Sequence, residues 1–185
     1  MFTLPIANRT CIFAQFLWRA NSIYDRLMRM SMSREVKLMR CFELVDARFR
    51  RNAQARLPLR ATAHSVGYDF FSPVDVEIPP MGSVMIWTDV KARFGEDEAL
   101  LINVRSSMGA QPVMLANTQG WIESDYYSNP DNDGNIGIRL FNLGATPYRI
   151  AQGQRFAQGM FVKYLAADNC NADAPRLGGL GSTGK

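Results

Sequence analysis

Short segments in which apolar and polar residues alternate constrain the fold more than any other feature of the chain. "SVMIWTDV" (83–90) and "NIGIRLFN" (135–142) place apolar side chains at every second position, and "RFAQGMFVKY" (155–164) is a further strand-like run. Because successive side chains of a strand point to opposite faces, this period of two predicts strands with one buried face. Turn-forming stretches such as residues 79–82 separate the segments. The pattern predicts an all-β chain, either a jelly-roll-like β-sandwich or a barrel.

The composition excludes several kinds of chemistry. The chain of 185 residues contains one histidine, so an H-E-x-x-H zinc site or a clustered-histidine metal site is impossible. Its three cysteines share no C-x-x-C spacing. They indicate free thiols in a reducing compartment, which favours a cytoplasmic location. No apolar run is long enough to predict a membrane span.

Positive charge is concentrated near the N-terminus. Residues 1–60 contain 12 Lys and Arg against 4 Asp and Glu, whereas residues 61–185 contain more acidic than basic side chains. The net charge of +4 is therefore no indication that the main domain binds nucleic acid.

Residues 1–31 differ from the rest and are predicted to form an N-terminal extension of unknown role. Apolar residues recur there at helical spacing with arginines between them. This is typical of a basic amphipathic helix that contacts a membrane surface or directs a chain to an organelle. Alternatives are a helix packed on its own domain, a disordered extension, or translation that begins at Met30 or Met32. The β domain is predicted over residues 32–167.

Residues 168–185 are rich in Asn, Asp, Ala and Gly and are predicted to form a mobile C-terminal arm. The arm ends in "GGLGSTGK", which matches most of the phosphate-binding loop G-x-x-x-x-G-K-[ST]. Such a loop needs a preceding strand and a following helix, whose N-terminus holds the phosphates. The β pattern offers no such helix, so an autonomous phosphate-binding loop is not expected.

Five short stretches, in this order, resemble the five motifs of the trimeric dUTPase family (deoxyuridine 5′-triphosphate nucleotidohydrolases). They are "VGYDFFSP" (66–73), "NVRSSMG" (103–109), "NTQGWIESDYY" (117–127), "QGQRFAQ" (152–158) and "RLGGLGSTGK" (176–185). The resemblance implies a jelly-roll β-sandwich and a homotrimer whose active sites are shared between subunits. It also implies Mg²⁺-assisted hydrolysis of dUTP to dUMP and pyrophosphate, which keeps uracil out of DNA.

Three of these stretches concern the phosphates and the metal. Cleavage of a triphosphate needs positive charge and hydrogen-bond donors on the phosphates. The resemblance assigns Arg105, Ser106 and Ser107 to that role, and it places Gln158 near the phosphates. It also implies that Asp69 helps to organise the water shell of Mg²⁺, an ion that keeps several waters and is held mainly by substrate phosphates.

The stretch "NTQGWIESDYY" resembles the hairpin that binds uracil in the family. The resemblance implies that Asn117 and the hairpin backbone read the uracil edge, and that Tyr126 stacks on the deoxyribose and excludes a 2′-hydroxyl. The expected substrate-binding set also contains Gly120, Trp121, Ile122, Glu123 and Gly137. Fixed backbone partners reject cytosine, because its exocyclic amine would face mismatched polar groups.

Glu123 stands where the family has the aspartate that activates the attacking water, so it is the expected general base. Its extra methylene moves the carboxylate by about an ångström, and a displacement on this scale costs on the order of a hundredfold in rate. Three outcomes stay open: a site adjusted to the longer side chain, a slow enzyme, or a protein that only binds nucleotide.

The resemblance also gives the arm a role, which is to close over a nucleotide in a site supplied by a neighbouring subunit. Arg176 is expected to meet the γ-phosphate, and Gly181, Ser182 and Thr183 are expected to wrap the phosphates. Leu180 stands where the family has phenylalanine, so it offers apolar cover without base stacking. The spacing from Arg176 to the glycines is one residue shorter than is usual in the family.

Two other interpretations stay open. An inactive nucleotide-binding or regulatory homologue would account for the departures at Glu123 and Leu180. The related dCTP deaminases share the family fold, but their general base would fall at Arg139, which speaks against deamination. Residues 127–133 look like an insertion and are expected to form a solvated turn, in preference to a cation site built from Asp131 and Asp133.

Overall fold

The computed structural model describes residues 40–170, 172 and 174–180, and almost every regular element among them is a β-strand. The expectations for residues 1–31 and for residues 181–183 lie outside the described residues. The strands are β1 (Cys41–Leu44), β2 (Leu59–Arg60), β3 (Tyr68–Phe71), β4 (Val76–Ile78), β5 (Ser83–Trp87), β6 (Val90–Arg93), β7 (Glu98–Val104), β8 (Val113–Leu115), β9 (Gly120–Glu123), β10 (Gly137–Asn142), β11 (Tyr148–Ile150) and β12 (Arg155–Lys163). Short 3₁₀ helices occur at Ala47–Phe49, Ser106–Met108 and Ser124–Tyr126. No helix in the described ranges has the length or the apolar character to cross a membrane.

The strands form antiparallel sheets that pair distant parts of the sequence. The largest sheet has five strands in the order β2–β3–β12–β7–β9, and a second has three in the order β5–β10–β8. The pairs β1–β6 and β11–β4 form two small sheets. Because β12 lies between β3 and β7, the last strand joins two segments that come much earlier in the chain. This arrangement confirms the predicted all-β sandwich.

Alternate side chains of both main sheets form one apolar core. In β10, Ile138 and Leu140 are at most 2% exposed, whereas Arg139 between them is exposed. Phe70 of β3 and Phe156 of β12 are equally buried in the same cluster. Burying a side chain of this size contributes about 1.5–3 kcal/mol. The period of two in the sequence therefore identifies the core-facing side of the strands correctly.

The predicted strand over residues 83–90 is interrupted at Asp89, whose φ of 56° lies in the left-handed region. Asp89 is fully buried, and its carboxylate accepts hydrogen bonds from the side-chain amide of Asn135 and the backbone N–H of Asn52, each at 2.7 Å. These bonds stabilise a backbone conformation that is costly for most residues but more accessible to aspartate. The chain consequently passes from β5 in one sheet to β6 in another.

The segment 127–133 forms turns as expected, but it is solvated only in part: Ser128, Pro130 and Asp131 are exposed, whereas three other members are buried. Asn129, Asn132 and Asp133 are at most 9% exposed. The carboxylate of Asp133 pairs with the ammonium group of Lys91 at 2.8 Å, and not with a neighbouring carboxylate around a cation. Side chains that can hydrogen-bond to one another allow such a polar loop to pack without unsatisfied groups. We call residues 127–134 the asparagine loop.

Candidate active site

A cavity of about 370 Å³ opens beside the turn that connects β8 to β9, which pair with β10 and β7, respectively, and not with each other as the expected hairpin would require. Six of the residues predicted to contact the substrate line it: Asn117, Gly120, Trp121, Ile122, Gly137 and Leu180. Much of the remaining wall is aliphatic and includes Ile102, Leu115 and Ile138. An apolar slot with a few polar groups is typical of sites that bind a planar heterocycle and read one of its edges.

The turn between β8 and β9 presents a polar side chain at this cavity. Thr118 adopts a φ of 65°, and its N–H donates to the carbonyl of Leu115 at 2.9 Å, which closes a tight turn. The amide of Asn117 is exposed and forms no side-chain hydrogen bond to any part of the chain that the structure describes. Gly120 permits β9 to pack closely on β7, since a Cβ there would lie 3.1 Å from the Cβ of Ile102. Asn117 is therefore available to a ligand.

β10 supplies the opposite wall of the cavity. A Cβ on Gly137 would lie 2.9 Å from Sδ of Met85 and 3.0 Å from the ring of Trp87, so a larger residue would displace the wall. Arg139, two residues later on the same face, also lines the cavity. It was not among the expected substrate-binding residues. Because side chains two residues apart on a strand share a face, the predicted position of Gly137 at the cavity could have identified Arg139 as well.

Glu123 ends β9, the strand whose first residues line the cavity. Its side chain is 58% exposed, and its Oε2 accepts a hydrogen bond from Nη2 of Arg176 at 3.1 Å. The Nε of Arg176 donates to Oδ1 of Asp125 at 2.9 Å. The guanidinium that was expected to meet a γ-phosphate thus lies between two carboxylates of its own chain. The opposite charges and the fork geometry of arginine account for this placement.

Leu180 lies against the cavity of its own chain, so the described part of the arm covers the site in cis. The expectation was an arm that closes a site on a neighbouring subunit. Residues 174–180 are also held by specific hydrogen bonds, including one from the N–H of Gly179 to Asp131 at 2.8 Å. This segment of the arm therefore has a defined path across its own subunit.

Tyr126 is a buried residue, which differs from its predicted role at the sugar. It is 4% exposed, and its hydroxyl donates to the carbonyl of Asn135 at 2.9 Å and accepts from Nδ2 of Asn132 at 2.8 Å. Burial raises the pKa of the Tyr126 hydroxyl, so it stays protonated as this donor. The guanidinium of Arg176 covers the ring at 5.6 Å from its centroid. Two hydrogen bonds at the hydroxyl thus hold the ring against the asparagine loop.

A second, more polar cavity of about 580 Å³ lies at the ends of β7 and β12. It is lined by Arg105, Ser107, Met108, Gln111, Tyr148, Gly153, Gln154 and Arg155. Two guanidinium groups and a hydroxyl in one concave surface are suited to bind phosphate oxygens. Arg155, which was not among the expected phosphate-binding residues, therefore also belongs to this surface.

Asp69 joins the two arginines of the second cavity. Its Oδ1 accepts from Nε of Arg105 at 2.8 Å, and its Oδ2 accepts from Nη1 of Arg155 at 3.1 Å. Asp69 is buried on β3, next to the central strand β12. Both carboxylate oxygens are engaged by guanidinium groups, so Asp69 orients the arginines. Its role in organising a metal's water shell stays a prediction.

Two other predicted phosphate contacts lie outside this cavity. Ser106 is exposed in the 3₁₀ helix beside Ser107 and does not line it. The side-chain amide of Gln158 donates to the carbonyl of Val104 at 3.4 Å, and its Oε1 lies 2.8 Å from the position that a Cβ on Gly67 would occupy. Gln158 therefore packs between neighbouring strands in this structure.

The described part of the chain holds no preformed cluster of metal ligands. No group of three or more Asp, Glu, His or Cys side chains is arranged to hold a metal among residues 40–170, 172 and 174–180. The carboxylates nearest the two cavities are engaged by Arg105, Arg155 and Arg176. The scarcity of free carboxylates at the two cavities fits an ion such as Mg²⁺, which binds phosphate oxygens, retains several waters and needs few protein ligands.

A family model, two sequence relatives and a solved structure all relate this chain to the same family of proteins. A family model described as dUTPase matches residues 53–184. The chain is 36% identical over 149 residues to the deoxyuridine 5′-triphosphate nucleotidohydrolase of Lactococcus lactis subsp. lactis, covering 79% of this chain and 98% of the relative. It is 33% identical over 137 residues to the protein of the same name from Wolinella succinogenes, covering 71% and 88%. The crystal structure of dUTPase from Streptococcus mutans aligns with a TM-score of 0.61 at 34% identity, covering 69% of this chain and 98% of that one.

Proposed function

The chain belongs to the dUTPase family, and from that premise we propose how its residues carry out the hydrolysis of dUTP to dUMP and pyrophosphate. The β8–β9 cavity selects the base, and Glu123 activates the water that attacks the α-phosphorus. One observation most directly supports the assignment of base selection to the cavity and of water activation to Glu123. Glu123 ends the strand whose earlier residues line the cavity, so a single rigid element carries both base recognition and water activation.

Base selection rests on hydrogen bonding along one edge of the pyrimidine. Asn117 offers an amide with one acceptor and two donors, and apolar walls lie beside it. Uracil presents alternating carbonyl and N–H groups, whereas cytosine presents an amine at one of these positions. A buried mismatch of this kind costs about 1–3 kcal/mol, which gives strong discrimination. Arg139 adds positive charge at the same wall, which favours carbonyl oxygens over an amine.

Glu123 acts as the general base. Its exposed carboxylate accepts a proton from a water as that water attacks, and the bond between the α-phosphorus and the bridging oxygen breaks to release pyrophosphate. The extra methylene, relative to aspartate, requires the carboxylate to be held in place for an efficient reaction.

The second cavity binds the triphosphate through Arg105, Arg155 and Ser107. Asp69 holds both guanidinium groups in position, so the cavity is organised before the substrate arrives. We assign further phosphate contacts to Ser106, which lies beside Ser107, and to the arm residues Gly181, Ser182 and Thr183. Mg²⁺ bound to the phosphates supplies positive charge that offsets the negative charge of the reacting group.

We further propose that the active protein is a homotrimer in the cytoplasm, with sites shared between subunits. The two cavities are lined by different described residues, as a site divided between two chains requires. Cys41 and Cys170 are free thiols, which is typical of a reducing compartment.

Product analysis tests the function. The protein is incubated with Mg²⁺ and either dUTP or dCTP, and the products are identified. We expect dUMP and pyrophosphate from dUTP and no ammonia from dCTP. Binding of dUTP without turnover would identify an inactive nucleotide-binding homologue, and ammonia from dCTP would identify a deaminase.

A further inference from the structure

The turn between β8 and β9 contains a backbone conformation that threonine rarely adopts. The N–H of Gln119 donates to the carbonyl of Asn117 at 2.7 Å, and Thr118 between them has a φ of 65°. A hydrogen bond across three residues around a positive φ defines the less common form of γ-turn, which is strained. The strain is greatest for a β-branched residue, because its Cβ substituents crowd the backbone. The turn therefore holds strain at one threonine, whose neighbour Asn117 lines the base-binding cavity.

Hydrogen bonds of Thr118 itself hold the strained turn in place. Its N–H donates to the carbonyl of Leu115 at 2.9 Å, and its hydroxyl donates to the carbonyl of Asn117 at 2.6 Å. The Asn117 carbonyl thus accepts hydrogen bonds from both of the residues that follow it, which fixes the orientation of its peptide group. A hydroxyl that bonds to the local backbone offsets part of the cost of an unusual backbone conformation. The threonine side chain therefore helps to retain the strain that it creates.

Both ends of the turn are anchored on strands that contribute to the cavity walls. At its start, the N–H of Ala116 donates to the carbonyl of Arg139 on β10 at 2.9 Å. At its end, the side-chain amide of Gln119 donates to Oδ1 of Asn103 on β7 at 3.4 Å. β8 and β9 belong to different sheets, so the turn crosses from one sheet to the other beside the cavity. A change in the turn would therefore move Asn117 relative to both walls.

We propose that Thr118 is a positioning residue that presets the amide of Asn117 for the edge of the pyrimidine. This inference rests on the proposed role of Asn117 in reading the base. Asn117 is exposed, and within the described ranges its amide has no hydrogen-bond partner, so the backbone of the turn sets where the amide lies. Backbone strain clusters at binding sites, where it holds a group in its bound arrangement before the ligand arrives. Less conformational freedom is then lost on binding, which improves affinity.

Thr118→Gly separates a positioning role from a purely structural one. Glycine adopts a φ of 65° without steric cost, but it also leaves the turn free to adopt other conformations. The midpoint of urea denaturation should change little, because relief of strain offsets the lost hydroxyl bond. The KM for dUTP should rise about 3- to 10-fold with kcat within about twofold of wild type, since base binding contributes equally before and during the reaction. An unchanged KM, or a lower kcat at unchanged KM, would overturn the inference.

Two further variants at the same position and one matched control sharpen the test. Asparagine tolerates positive φ and bonds to nearby backbone, so Thr118→Asn should keep the KM within about twofold of wild type. Valine has the shape of threonine without its hydroxyl, so Thr118→Val should raise the KM. Met81 has a φ of 53° in a turn that lines neither described cavity, so Met81→Gly should leave the KM unchanged. Equal increases in Thr118→Asn and Thr118→Gly, or an increase in Met81→Gly, would contradict the proposal.

Calorimetric binding of an α,β-imido analogue of dUTP to the full-length protein tests the inference without hydrolysis. Thr118→Gly should bind the analogue about 3- to 10-fold more weakly than wild type and Met81→Gly. Hydrolysis of dUTP together with equal affinities in all three proteins would refute the positioning role and leave the proposed function intact. A wild type that binds the analogue but does not hydrolyse dUTP would refute the proposed function, while the affinities still decide the role of Thr118. A wild type that does not bind the analogue would refute both.

Discussion

Glu123 and Arg176 are 53 residues apart in the chain, and their side chains meet at 3.1 Å. The contact joins the end of β9 to the C-terminal arm on the same subunit. It brings the expected general base, a neighbouring carboxylate and the arm into one cluster beside the base-binding cavity.

Asp69→Asn should disrupt the phosphate cavity. Asparagine keeps the shape of the side chain but lacks the negative charge that pairs with Arg105 and Arg155. Its amide NH₂ group, which is a donor, would face one of these two guanidinium groups. Hydrogen bonds to charged groups are worth about 1.5–3 kcal/mol, so kcat/KM for dUTP should fall by roughly 10- to 100-fold. Steady-state kinetics measure this decrease in kcat/KM. Glu77→Gln breaks an exposed pair with Arg149 and serves as the control, which should have little effect.

Leu180→Phe should tighten substrate binding. Leu180 covers the base-binding cavity and is 60% exposed, so a larger aromatic side chain has room to stack on the pyrimidine. Aromatic stacking contributes about 0.5–1.5 kcal/mol, which corresponds to a KM roughly 2- to 10-fold lower. Leu177→Phe changes an exposed arm residue outside the cavity and should leave KM unchanged. An equal decrease of KM in both variants would contradict the placement of Leu180.

Strand prediction succeeded where the signal is local. The alternation over 135–142 predicted β10, which is observed as Gly137–Asn142, because the period of two depends only on neighbouring residues. The break at Asp89 could not be predicted in the same way. Its left-handed conformation depends on hydrogen bonds from Asn52 and Asn135, which are 37 and 46 residues away.

The same distinction between local and long-range signals applies to the residues of the candidate site. Asn117 and Trp121 lie in one continuous stretch, so their motif identifies them together, and both line the cavity. The burial of Tyr126 and the pairing of Glu123 with Arg176 arise from contacts with the asparagine loop and the arm. A motif specifies which residues are present, whereas these contacts depend on how separate segments pack.

Asn132→Ala should destabilise the fold. Asn132 is buried and makes hydrogen bonds to Tyr126, Asn129 and the backbone of Gly134. Its removal leaves buried partners unsatisfied, at a cost of about 1–3 kcal/mol in the free energy of unfolding. Urea denaturation measures this loss. Gln54→Ala removes an exposed amide without a side-chain hydrogen bond in the described structure, and it should change stability little.

Glu98 should make the stability depend on acid pH. Hydrogen bonds from Arg40 lower the pKa of the nearly buried Glu98 carboxyl against the opposing effect of burial, and the N–H of Gly95 adds to the decrease. Because the folded-state pKa lies below the unfolded value of about 4.3, the charged form stabilises the fold above that pH. The contribution is lost as pH falls through the lowered pKa.

Urea denaturation between about pH 3 and pH 7 checks this dependence. The wild type should lose more stability with acid than Glu98→Gln, and the difference between the two proteins should shrink toward low pH. Parallel pH profiles for the two proteins would contradict the role of the Arg40 pair.

The role of Glu123 as the general base is tested most directly by comparing dUTP hydrolysis in wild type and Glu123→Gln with Mg²⁺ present. Glutamine keeps the size and the hydrogen-bonding oxygen of the side chain but cannot accept a proton from water, so its kcat should fall at least about 100-fold. The dissociation constant for dUTP should change little, since the base-binding cavity is intact. A Glu123→Gln variant that binds dUTP and retains the full kcat would contradict the assignment.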